Sequence, residues 1–317
     1  MIAAVCPNPA VDKLFAVEGV RVGEIHRPLE LVAVPGGKGL NAARAARALD
    51  AHVLAVVLLA GHAGRWVAEA LRGDGMHVDA AWSPGETRTC LTVADRTSGR
   101  PTEFYERGDD TPPAAWDAFA DRVRAAGVVA GWVGVSGSLP PGVAPECAGE
   151  LVERARSAGA RVAVDHDGPT LAAALAAAPD LVKVNAAEAR GLTGAGGVVQ
   201  AACALHASLT AARGARGLPP GVAIVTAGED GAYAVGPDGV VRHGAVDARG
   251  PYPTGSGDSF LGALLAHADR RPQDWDGALA SALGAAAANA ESPGAAHFAP
   301  ERARTLADRA HIVRVER

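Results

Sequence analysis

The feature that most constrains the fold is a regular alternation of short apolar runs and helical segments from residue 128 onward. The pattern predicts strands at 128–135, 161–164, 181–184 and 222–225, with helices between them. Strands separated by helices pair in parallel, and the helices cover both faces of the sheet. We therefore predict a three-layer α/β fold with a mostly parallel central sheet and helices on both faces.

The first 107 residues depart from this alternation. Residues 2–6 and 52–60 fit the central sheet, but four other segments alternate polar and apolar side chains, as half-exposed strands do: 13–17, 24–34, 87–94 and 101–107. We predict that they form a small separate sheet, contributed by about 12–34 and 87–107, that covers the site as a lid. No linker, repeat or break in composition interrupts residues 1–317, so we predict a single domain.

The most informative local motif is Gly255, Ser256, Gly257 and Asp258, which leads into a helix predicted over 256–268. The first N–H groups of a helix lack intrahelical partners and, with the positive end of the helix dipole, they bind anions. A carboxylate at this place would repel a bound phosphate, so its presence needs an explanation. Taking a proton from an attacking hydroxyl would provide one. The alternative is that Asp258 caps the helix after an ordinary glycine turn.

A second glycine-rich loop contains Gly37, Lys38 and Gly39 and leads into a helix at Asn41. It is not a P-loop, because the G-x-x-x-x-G-K-[ST] spacing is absent. Its backbone amides and the Asn41 side chain suit a ligand rich in hydroxyls. Asp12, just past the first strand, could accept hydrogen bonds from the same hydroxyls, although an ordinary turn is the alternative interpretation there.

Polar residues also follow two of the later strands. Lys183 can meet a phosphate as a point charge, and Asn185 with Glu188 can hold a hydrated Mg²⁺. The alternative for that pair is a capping box at a helix start, and both interpretations can hold together. The glycine-rich segment 226–231 joins a strand to a hairpin, and its functional and structural interpretations are equally open.

Three arginines fall on the predicted lid segments, namely Arg27, Arg88 and Arg107. Solvated surface arginine is the ordinary interpretation. If they instead face the site, they would recognise a second phosphate that is already on the substrate.

Composition and spacing exclude several other classes of function. The net charge is −5 without a long run of like charge, which argues against a nucleic-acid or membrane-surface partner. The four cysteines lie far apart, so we expect reduced thiols and a cytoplasmic location. No uncharged apolar stretch could span a bilayer, and residues 1–6 are typical of a strand, not of a signal peptide. No G-x-G-x-x-G follows the first strand, which argues against a nicotinamide-dependent oxidoreductase.

Five motifs in this order resemble those of the ribokinase-like (PfkB) carbohydrate kinases. They are N-P-A-V-D at 8–12, G-G-K-G-L-N at 36–41, G-S-L-P-P-G at 137–142, K-V-N-A-A-E at 183–188 and G-S-G-D at 255–258. The match spans nearly the whole chain. The third motif resembles the phosphosugar branch, which includes 1-phosphofructokinase, tagatose-6-phosphate kinase and the minor 6-phosphofructokinase.

The resemblance implies a ribokinase-like fold and a role for each motif. Asp258 would be the catalytic base, and the amides of Gly255, Ser256 and Gly257 would form the anion hole for the transferred phosphoryl group. The residues that would hold the sugar are Asp12, Gly37, Lys38, Gly39 and Asn41. The residues near the phosphate already on the sugar would be Arg88, Arg27 and Ser138. The residues facing ATP and its metal would be Lys183, Asn185, Glu188, Thr226 and Gly228, with Gly231 and Asn289 at the nucleotide end and with Glu188 and Asn185 as ligands of Mg²⁺.

The chain also departs from the family pattern. The lid reads Y-E-R-G at 105–108 where the family usually has N-E-P-G, the segment 165–168 reads D-H-D-G instead of D-T-S-G, and Val184 replaces a proline. The catalytic loop is intact, so the resemblance implies an ATP-dependent kinase. Activation by a monovalent cation such as K⁺ and a homodimer paired through the lid strands are further properties that the resemblance implies.

We expect the substrate to be a ketohexose phosphate, with fructose 1-phosphate converted to fructose 1,6-bisphosphate. Tagatose 6-phosphate, fructose 6-phosphate and unphosphorylated sugars are the alternative substrates. The alternative from a different class is a non-catalytic sensor of sugar or nucleotide on the same scaffold.

Overall fold

The computed structural model describes residues 1–315, which form two β-sheets and the helices between their strands. The strands are β1 (Ile2–Cys6), β2 (Ala10–Val17), β3 (Glu30–Gly36), β4 (Val53–Ala60), β5 (His77–Ser83), β6 (Thr89–Asp95), β7 (Pro101–Tyr105), β8 (Trp132–Ser136), β9 (Arg161–Asp165), β10 (Leu181–Asn185), β11 (Val222–Thr226), β12 (Ala232–Val235), β13 (Val241–Ala245) and β14 (His311–Val315). The α-helices are α1 (Lys38–Ala48), α2 (Gly61–Gly73), α3 (Pro113–Val129), α4 (Cys147–Ser157), α5 (Gly168–Ala176), α6 (Ala186–Thr193), α7 (Val198–Gly214), α8 (Ser256–Arg270), α9 (Trp275–Ala290) and α10 (Pro300–Asp308).

The larger sheet has ten strands in the order β14-β13-β12-β11-β10-β9-β8-β1-β4-β5. From β11 to β5 the neighbouring strands are parallel, whereas β12, β13 and β14 are added in antiparallel fashion. The predicted mostly parallel sheet is therefore confirmed. Because the carboxyl ends of parallel strands meet at one edge, the loops that follow them lie close together there.

Two apolar cores lie on opposite faces of this sheet. In β1, Ala3 and Val5 belong to the core formed with α3, α4, α5 and α7. The alternate residues Ile2, Ala4 and Cys6 belong to the core formed with α1, α2, α8 and α9. Such alternation is what a strand buried on both faces requires, and it confirms the layering of helices on both sides of the sheet.

Helices α1 and α8 pack closely and bring the two glycine-rich loops together. The approach depends on Gly262, because a Cβ there would come within 2.2 Å of the Ala42 carbonyl oxygen. Asn41 near the start of α1 consequently contacts Asp258 near the start of α8.

The smaller sheet, in the order β3-β2-β6-β7, corresponds to the predicted lid. One of its predicted strands was wrong in extent, because 20–29 is a loop and β3 begins only at Glu30. Pro28 has no N–H for a strand ladder and Gly23 takes a positive φ, so this segment cannot extend the sheet. Arg27 therefore lies in a loop and not on a lid strand.

Other elements also differ from the sequence-based expectation. Strand β5 has no predicted counterpart, and α5 and α7 lie in intervals where helices were predicted without bounds. The apolar run 128–135 does not begin as a strand, since Val128 and Val129 end α3 with exposed side chains and β8 starts at Trp132. An apolar run at the junction of a helix and a strand does not by itself mark the boundary.

Within residues 1–315, no single helix has both the length and the apolar composition needed to cross a bilayer. The pair α6 and α7, bent by 60°, meets the length and composition criteria only when its two helices are taken together.

Candidate active site

The catalytic-loop motif lies at the start of α8. Gly255 is the N-cap and has a φ of 81°, a left-handed conformation that favours glycine. A Cβ on Gly255 would lie 2.6 Å from the Cβ of Ala295, so the loop is packed tightly against that segment. The Asp258 carboxylate accepts a hydrogen bond from Asn41, and this arrangement does not support the helix-cap alternative.

The backbone amides of this loop are not equivalent. The N–H of Ser256 donates to the Pro253 carbonyl over 3.1 Å, so it is used inside the loop and does not face an anion as predicted. The N–H of Ser259 enters the helix ladder at the Gly255 carbonyl. The amide of Gly257 lies between these two, at the N-terminus of the helix where anions bind.

Asp258 is a buried carboxylate with 9% of its surface exposed. Its Oδ2 accepts a hydrogen bond of 2.8 Å from Nδ2 of Asn41. Burial raises the pKa of Asp258 to about 6, and the charge of Asp165 adds to this shift. The Asn41 hydrogen bond and the ammonium groups of Lys183 and Lys38 oppose it. A carboxylate with a pKa near 6 is ionised at neutral pH and still basic enough to accept a proton.

Asp165, at the end of β9, joins two lysines. Its Oδ2 is 2.7 Å from Nζ of Lys183, and its Oδ1 is 3.9 Å from Nζ of Lys38. The Asp165 and Lys183 side chains are almost fully buried. A Cβ on Gly257 would lie 3.0 Å from the Lys183 ammonium, so this charge stands beside the amides of the catalytic loop.

Lys38 lies within electrostatic reach of Asp258 as well as of Asp165. Burial lowers the pKa of Lys38, but nearby carboxylates outweigh that effect and the pKa is raised. The carboxylates are Asp165, Glu188, Asp258 and Asp167. The Lys38 ammonium is a positive charge in this set, and it can attract a phosphate group that enters beside it.

Asp12 lies on the lid strand β2, next to the glycine loop. Gly36 gives the Asp12 carboxylate its space, since a Cβ at position 36 would lie 2.0 Å from Cγ of Asp12 and displace it. Burial raises the pKa of Asp12, and the charges of Arg44 and Arg88 and the Gly37 amide oppose this rise. The strand register places Cys90 and Tyr105 on the same face of the small sheet as Asp12.

Arg88, Asn8 and Ser138 come together beside this sheet. Nη2 of Arg88 donates to the Asn8 carbonyl at 3.2 Å, and Nδ2 of Asn8 donates to Oγ of Ser138 at 3.1 Å. Nε of Arg88 is buried and has no hydrogen-bond partner among the described residues. A buried orphan donor of this kind is costly unless a ligand or water satisfies it.

The other two arginines of the predicted set are not brought to this cluster. Arg27 is exposed in the loop before β3. Arg107 follows β7, is exposed and pairs with Asp110 at 3.4 Å. The interpretation that all three arginines lie on lid strands is wrong, because only Arg88, just before β6, is held at the sheet.

The predicted nucleotide residues divide into two kinds. Oγ1 of Thr226 donates to the Val184 carbonyl at 3.4 Å, at the carboxyl end of the sheet. Gly228 begins a short 3₁₀ turn, and a Cβ there would meet nothing within 4 Å. Gly231 is different, since a Cβ would overlap the Gly244 carbonyl oxygen at 2.0 Å. Its glycine is thus explained by packing within the hairpin.

Asn289 is fully buried and supports the catalytic loop from behind. Its Nδ2 donates to the Thr254 carbonyl at 2.9 Å and to Oγ of Ser256 at 3.0 Å. Its Oδ1 accepts from the N–H of Ala296 at 2.7 Å. The amide is satisfied by these bonds, so the structure corrects the expected nucleotide contact to a role in holding the loop.

Comparison with known proteins agrees with this geometry. The model of the pfkB family carbohydrate kinases matches residues 8–302. The chain belongs to this family. The 1-phosphofructokinase of Rhodobacter capsulatus is 38% identical over 216 residues, covering 65% of this chain and 67% of the relative. The 1-phosphofructokinase of Haloferax volcanii is 32% identical over 281 residues, covering 87% of both chains.

A solved structure shares the fold of this kinase. Phosphofructokinase-2 from Escherichia coli in complex with potassium superimposes with a TM-score of 0.86, covering 97% of this chain and 98% of that one, at 23% identity. The predicted family, the ribokinase-like fold and the activity of an ATP-dependent sugar kinase are thus confirmed.

The kinase family implies ATP and Mg²⁺, and the residues predicted to hold the metal fit only in part. Asn185 is the N-cap of α6, and its Oδ1 already accepts from the N–H groups of Ala187 and Glu188. Oε2 of Glu188 accepts from the Asn185 N–H at 2.8 Å, which completes the capping box. The second oxygen of Glu188 can still bind a hydrated Mg²⁺, which needs few protein ligands, whereas both lone pairs of the Asn185 oxygen are used.

Two residues of the site have no counterpart among the predicted ones. Asp165 is central to the charge cluster; it follows a predicted apolar strand and opens the D-H-D-G segment at 165–168, but it was assigned no role. Arg44 donates to Oδ1 of Asn41 at 3.2 Å. A helical arginine three residues after a motif gives no signal of its own, because such residues usually lie on solvated surface.

Proposed function

We propose that this kinase transfers the terminal phosphoryl group of ATP to a hydroxyl of a ketohexose phosphate, with fructose 1-phosphate as the acceptor. The proposal rests on one observation above all: a buried carboxylate, Asp258, stands beside helix-terminal amides and a buried ammonium, Lys183. The names of the two curated relatives support the choice of fructose 1-phosphate.

The chemistry follows from what these groups can do. The acceptor hydroxyl gives its proton to the Asp258 carboxylate while its oxygen forms a bond to the terminal phosphorus of ATP. The bond from that phosphorus to the bridging oxygen breaks, and ADP leaves with the electron pair. Lys183 and the amide of Gly257 neutralise charge on the phosphoryl oxygens during transfer.

When bound, Mg²⁺ would supply charge neutralisation to the ATP phosphates, with Glu188 as its protein ligand. Asp165 holds the Lys183 side chain in place by pairing with it at 2.7 Å. Asp12 would accept hydrogen bonds from the sugar hydroxyls, and the amides of the glycine loop at Gly37 and Gly39 would donate hydrogen bonds to them.

A screen of ADP release with a coupled assay tests the proposal. The acceptors are fructose 1-phosphate, fructose 6-phosphate, tagatose 6-phosphate, free fructose and free tagatose. The highest kcat/KM is expected with fructose 1-phosphate. Preference for another phosphate would correct the substrate, preference for a free sugar would remove the second-phosphate site, and absence of turnover with every acceptor would favour the sensor alternative.

Replacing Arg88 by methionine should weaken binding of the sugar phosphate without affecting ATP. The guanidinium has an unsatisfied buried Nε, and a charged hydrogen bond to phosphate contributes roughly 1.5–3 kcal/mol, so KM for the phosphosugar should rise about 10- to 100-fold. Steady-state kinetics with each substrate varied in turn would measure this. Arg96→Met, on an exposed lid arginine paired with Glu30, is the control. An equal rise in both KM values would argue against a phosphate contact.

The rate should rise with pH around the pKa of Asp258, which burial raises to about 6. Below that pH the protonated carboxyl cannot accept the hydroxyl proton, so the acidic limb should be seen in kcat as well as in kcat/KM. The phosphate of the substrate also ionises near this pH, but ionisation of the free substrate affects kcat/KM and not the rate at saturation, kcat. An acidic limb that is absent from kcat would therefore contradict the role of Asp258.

We also propose a homodimer paired through the lids. The face of the small sheet opposite Asp12 contains Phe15, Leu31 and Phe104, and Leu31 and Phe104 are 60% and 58% exposed. An exposed apolar sheet face with two open edge strands favours pairing. Light scattering after size exclusion should give twice the chain mass of 31.9 kDa, and the double change Leu31→Glu, Phe104→Glu should give the single mass. Val313→Glu on the distant strand β14 is the control, and a monomer at concentrations of full activity would exclude the pairing.

A further inference from the structure

Arg44 lies on α1, one turn after Asn41 and facing the same side of the helix. It is half-buried, while Arg47, one turn later, is exposed. Burial lowers the pKa of Arg44, and the carboxylates of Asp74, Asp12 and Asp258 oppose this. Arginine stays charged under such conditions, so a permanent cation lies within electrostatic reach of both the Asp12 and the Asp258 carboxylates.

The guanidinium of Arg44 joins three segments that are distant in sequence. Nη1 donates to Oδ1 of Asn41 at 3.2 Å and to the carbonyl of Ala295 at 2.9 Å. Nη2 donates to the carbonyl of Pro35, in the last part of lid strand β3. A planar fork with several donors is the one side chain that can satisfy acceptors in such different directions.

The bond to Asn41 decides which way that amide faces. With its oxygen held by Arg44, the Nδ2 group of Asn41 is directed to the Asp258 carboxylate, at 2.8 Å. If the amide turned by 180°, its oxygen would face the carboxylate and the hydrogen bond would become a repulsion. Arg44 therefore fixes the orientation of the group that holds the base.

The bond to Ala295 acts on the other side of the base. Ala295 is the residue that packs on Gly255, where a Cβ would come within 2.6 Å. The segment beyond it is bonded to Asn289 through the N–H of Ala296. One guanidinium thus contacts the residue that holds Asp258 and the segment that backs the catalytic loop.

We propose that Arg44 is a positioning residue of the phosphoryl-transfer site, which locks the Asn41 amide onto the catalytic base and ties that pair to the end of the lid strand. The assignment of Asp258 as base rests on the proposed function. The hydrogen bonds of the Arg44 guanidinium described above all go to protein groups, so we assign it no contact with the substrate or the transferred group. Its effect should therefore appear in the rate of transfer and not in the binding of ATP.

The kinetic test compares Arg44→Lys and Arg44→Met with Arg47→Met as the control. Lysine keeps the charge but not the fork, so both Arg44 variants should lose about 10- to 100-fold in kcat, with KM for ATP within about twofold of the unaltered protein. Arg47→Met should leave both constants unchanged. Thermal unfolding checks that each variant is folded, and Arg44→Lys serves alone if the methionine variant is not. An Arg44→Lys variant with an unchanged kcat would overturn the proposal.

A double-mutant cycle with Asn41→Ala separates positioning from general support of the fold. If Arg44 acts through the Asn41 amide, adding Arg44→Lys to Asn41→Ala should lower kcat by less than about threefold. If kcat of the double variant instead falls by the product of the two single losses, Arg44 acts elsewhere and the proposal is overturned.

A last measurement needs no turnover. The charged and polar groups that face Asp258 are Asp165 from β9, Lys183 from β10, and Lys38, Asn41 and Arg44 from α1. In Arg44→Lys, loss of the oriented hydrogen bond from Asn41 should raise the pKa of Asp258, whereas Arg47→Met should leave it unchanged. The titration is followed by carboxyl ¹³C NMR, and Asp258→Asn identifies the signal. An unchanged pKa of Asp258 in Arg44→Lys would overturn the proposal. If the protein phosphorylates no sugar, the proposed function is rejected, and this titration still decides the role of Arg44.

Discussion

Replacing Asp258 by asparagine is expected to lower kcat about 10²- to 10⁴-fold while KM for ATP and for the sugar phosphate changes by less than about threefold. Asparagine keeps the size of the side chain and can still accept the hydrogen bond from Asn41, but it cannot take a proton from the acceptor hydroxyl. Single-turnover phosphoryl transfer, which excludes product release, is the measurement. A kcat within about threefold of the unaltered protein would mean that another group is the base.

The same substitution has an opposite effect on stability, which makes a misfolded variant easy to recognise. Burial raises the pKa of Asp258 in the folded state to about 6, above the ordinary value of 3.8. The stabilisation linked to this carboxyl is complete below its unfolded pKa and is lost as the pH rises through the folded one. At pH 8 the asparagine variant should thus be more stable by about 1–3 kcal/mol, with no gain near pH 4. Urea unfolding at both pH values measures the difference.

Replacing Lys183 by methionine should reduce both activity and stability. The ammonium beside Gly257 neutralises charge during transfer, and loss of such a group lowers kcat about 10²- to 10³-fold. The Asp165 carboxylate, 2.7 Å away and almost fully buried, would keep only the Lys38 contact at 3.9 Å. Leaving a buried charge without its partner typically costs about 3–5 kcal/mol. Steady-state kinetics and urea unfolding measure the two effects.

The double variant Asp165→Asn, Lys183→Met separates these effects. Without the Asp165 charge, no buried carboxylate is left unpaired, so most of the lost stability should return. The kcat should stay low, because the charge next to the catalytic loop is still missing. Recovery of kcat together with stability would show that Lys183 serves the fold only.

Residues next to the ends of parallel strands could be placed from the sequence. Lys183 and Thr226 were expected near one site because each lies at or near a strand end, and the strand ends of an α/β sheet meet at one edge. Asp12 was expected just past the first strand, but it lies within the lid strand β2. Asp258 could be assigned a task for a similar local reason: glycines at a helix start form an anion site, and a carboxylate there needs an explanation.

Contacts that depend on the packing of distant segments could not be predicted in this way. Asn289 lies in the last turn of a helix, and nothing local indicates that its amide holds the loop at Thr254 and Ser256. The sequence offered Asn185 as a possible helix cap. It did not show that capping uses both lone pairs of the Asn185 side-chain oxygen and leaves none for a metal.

The bounds of helices could not be predicted where composition hides periodicity. Helix α7 is rich in alanine, and alanine next to leucine gives a weak contrast between faces. The loop before β3 was interpreted as a strand because its side chains alternate, although the proline at 28 leaves the ladder without a donor. Alternation of polar and apolar side chains is therefore weaker evidence for a strand when the segment contains a proline.

The contact between α1 and α8 leaves no room for redesign. Because Gly262 rests directly on the backbone at Ala42, even one added methyl group would push the two helices apart and shift the 41 and 258 side chains relative to each other. Engineering for new acceptors therefore has to keep position 262 as glycine, so that the amide at 41 stays on the carboxylate at 258.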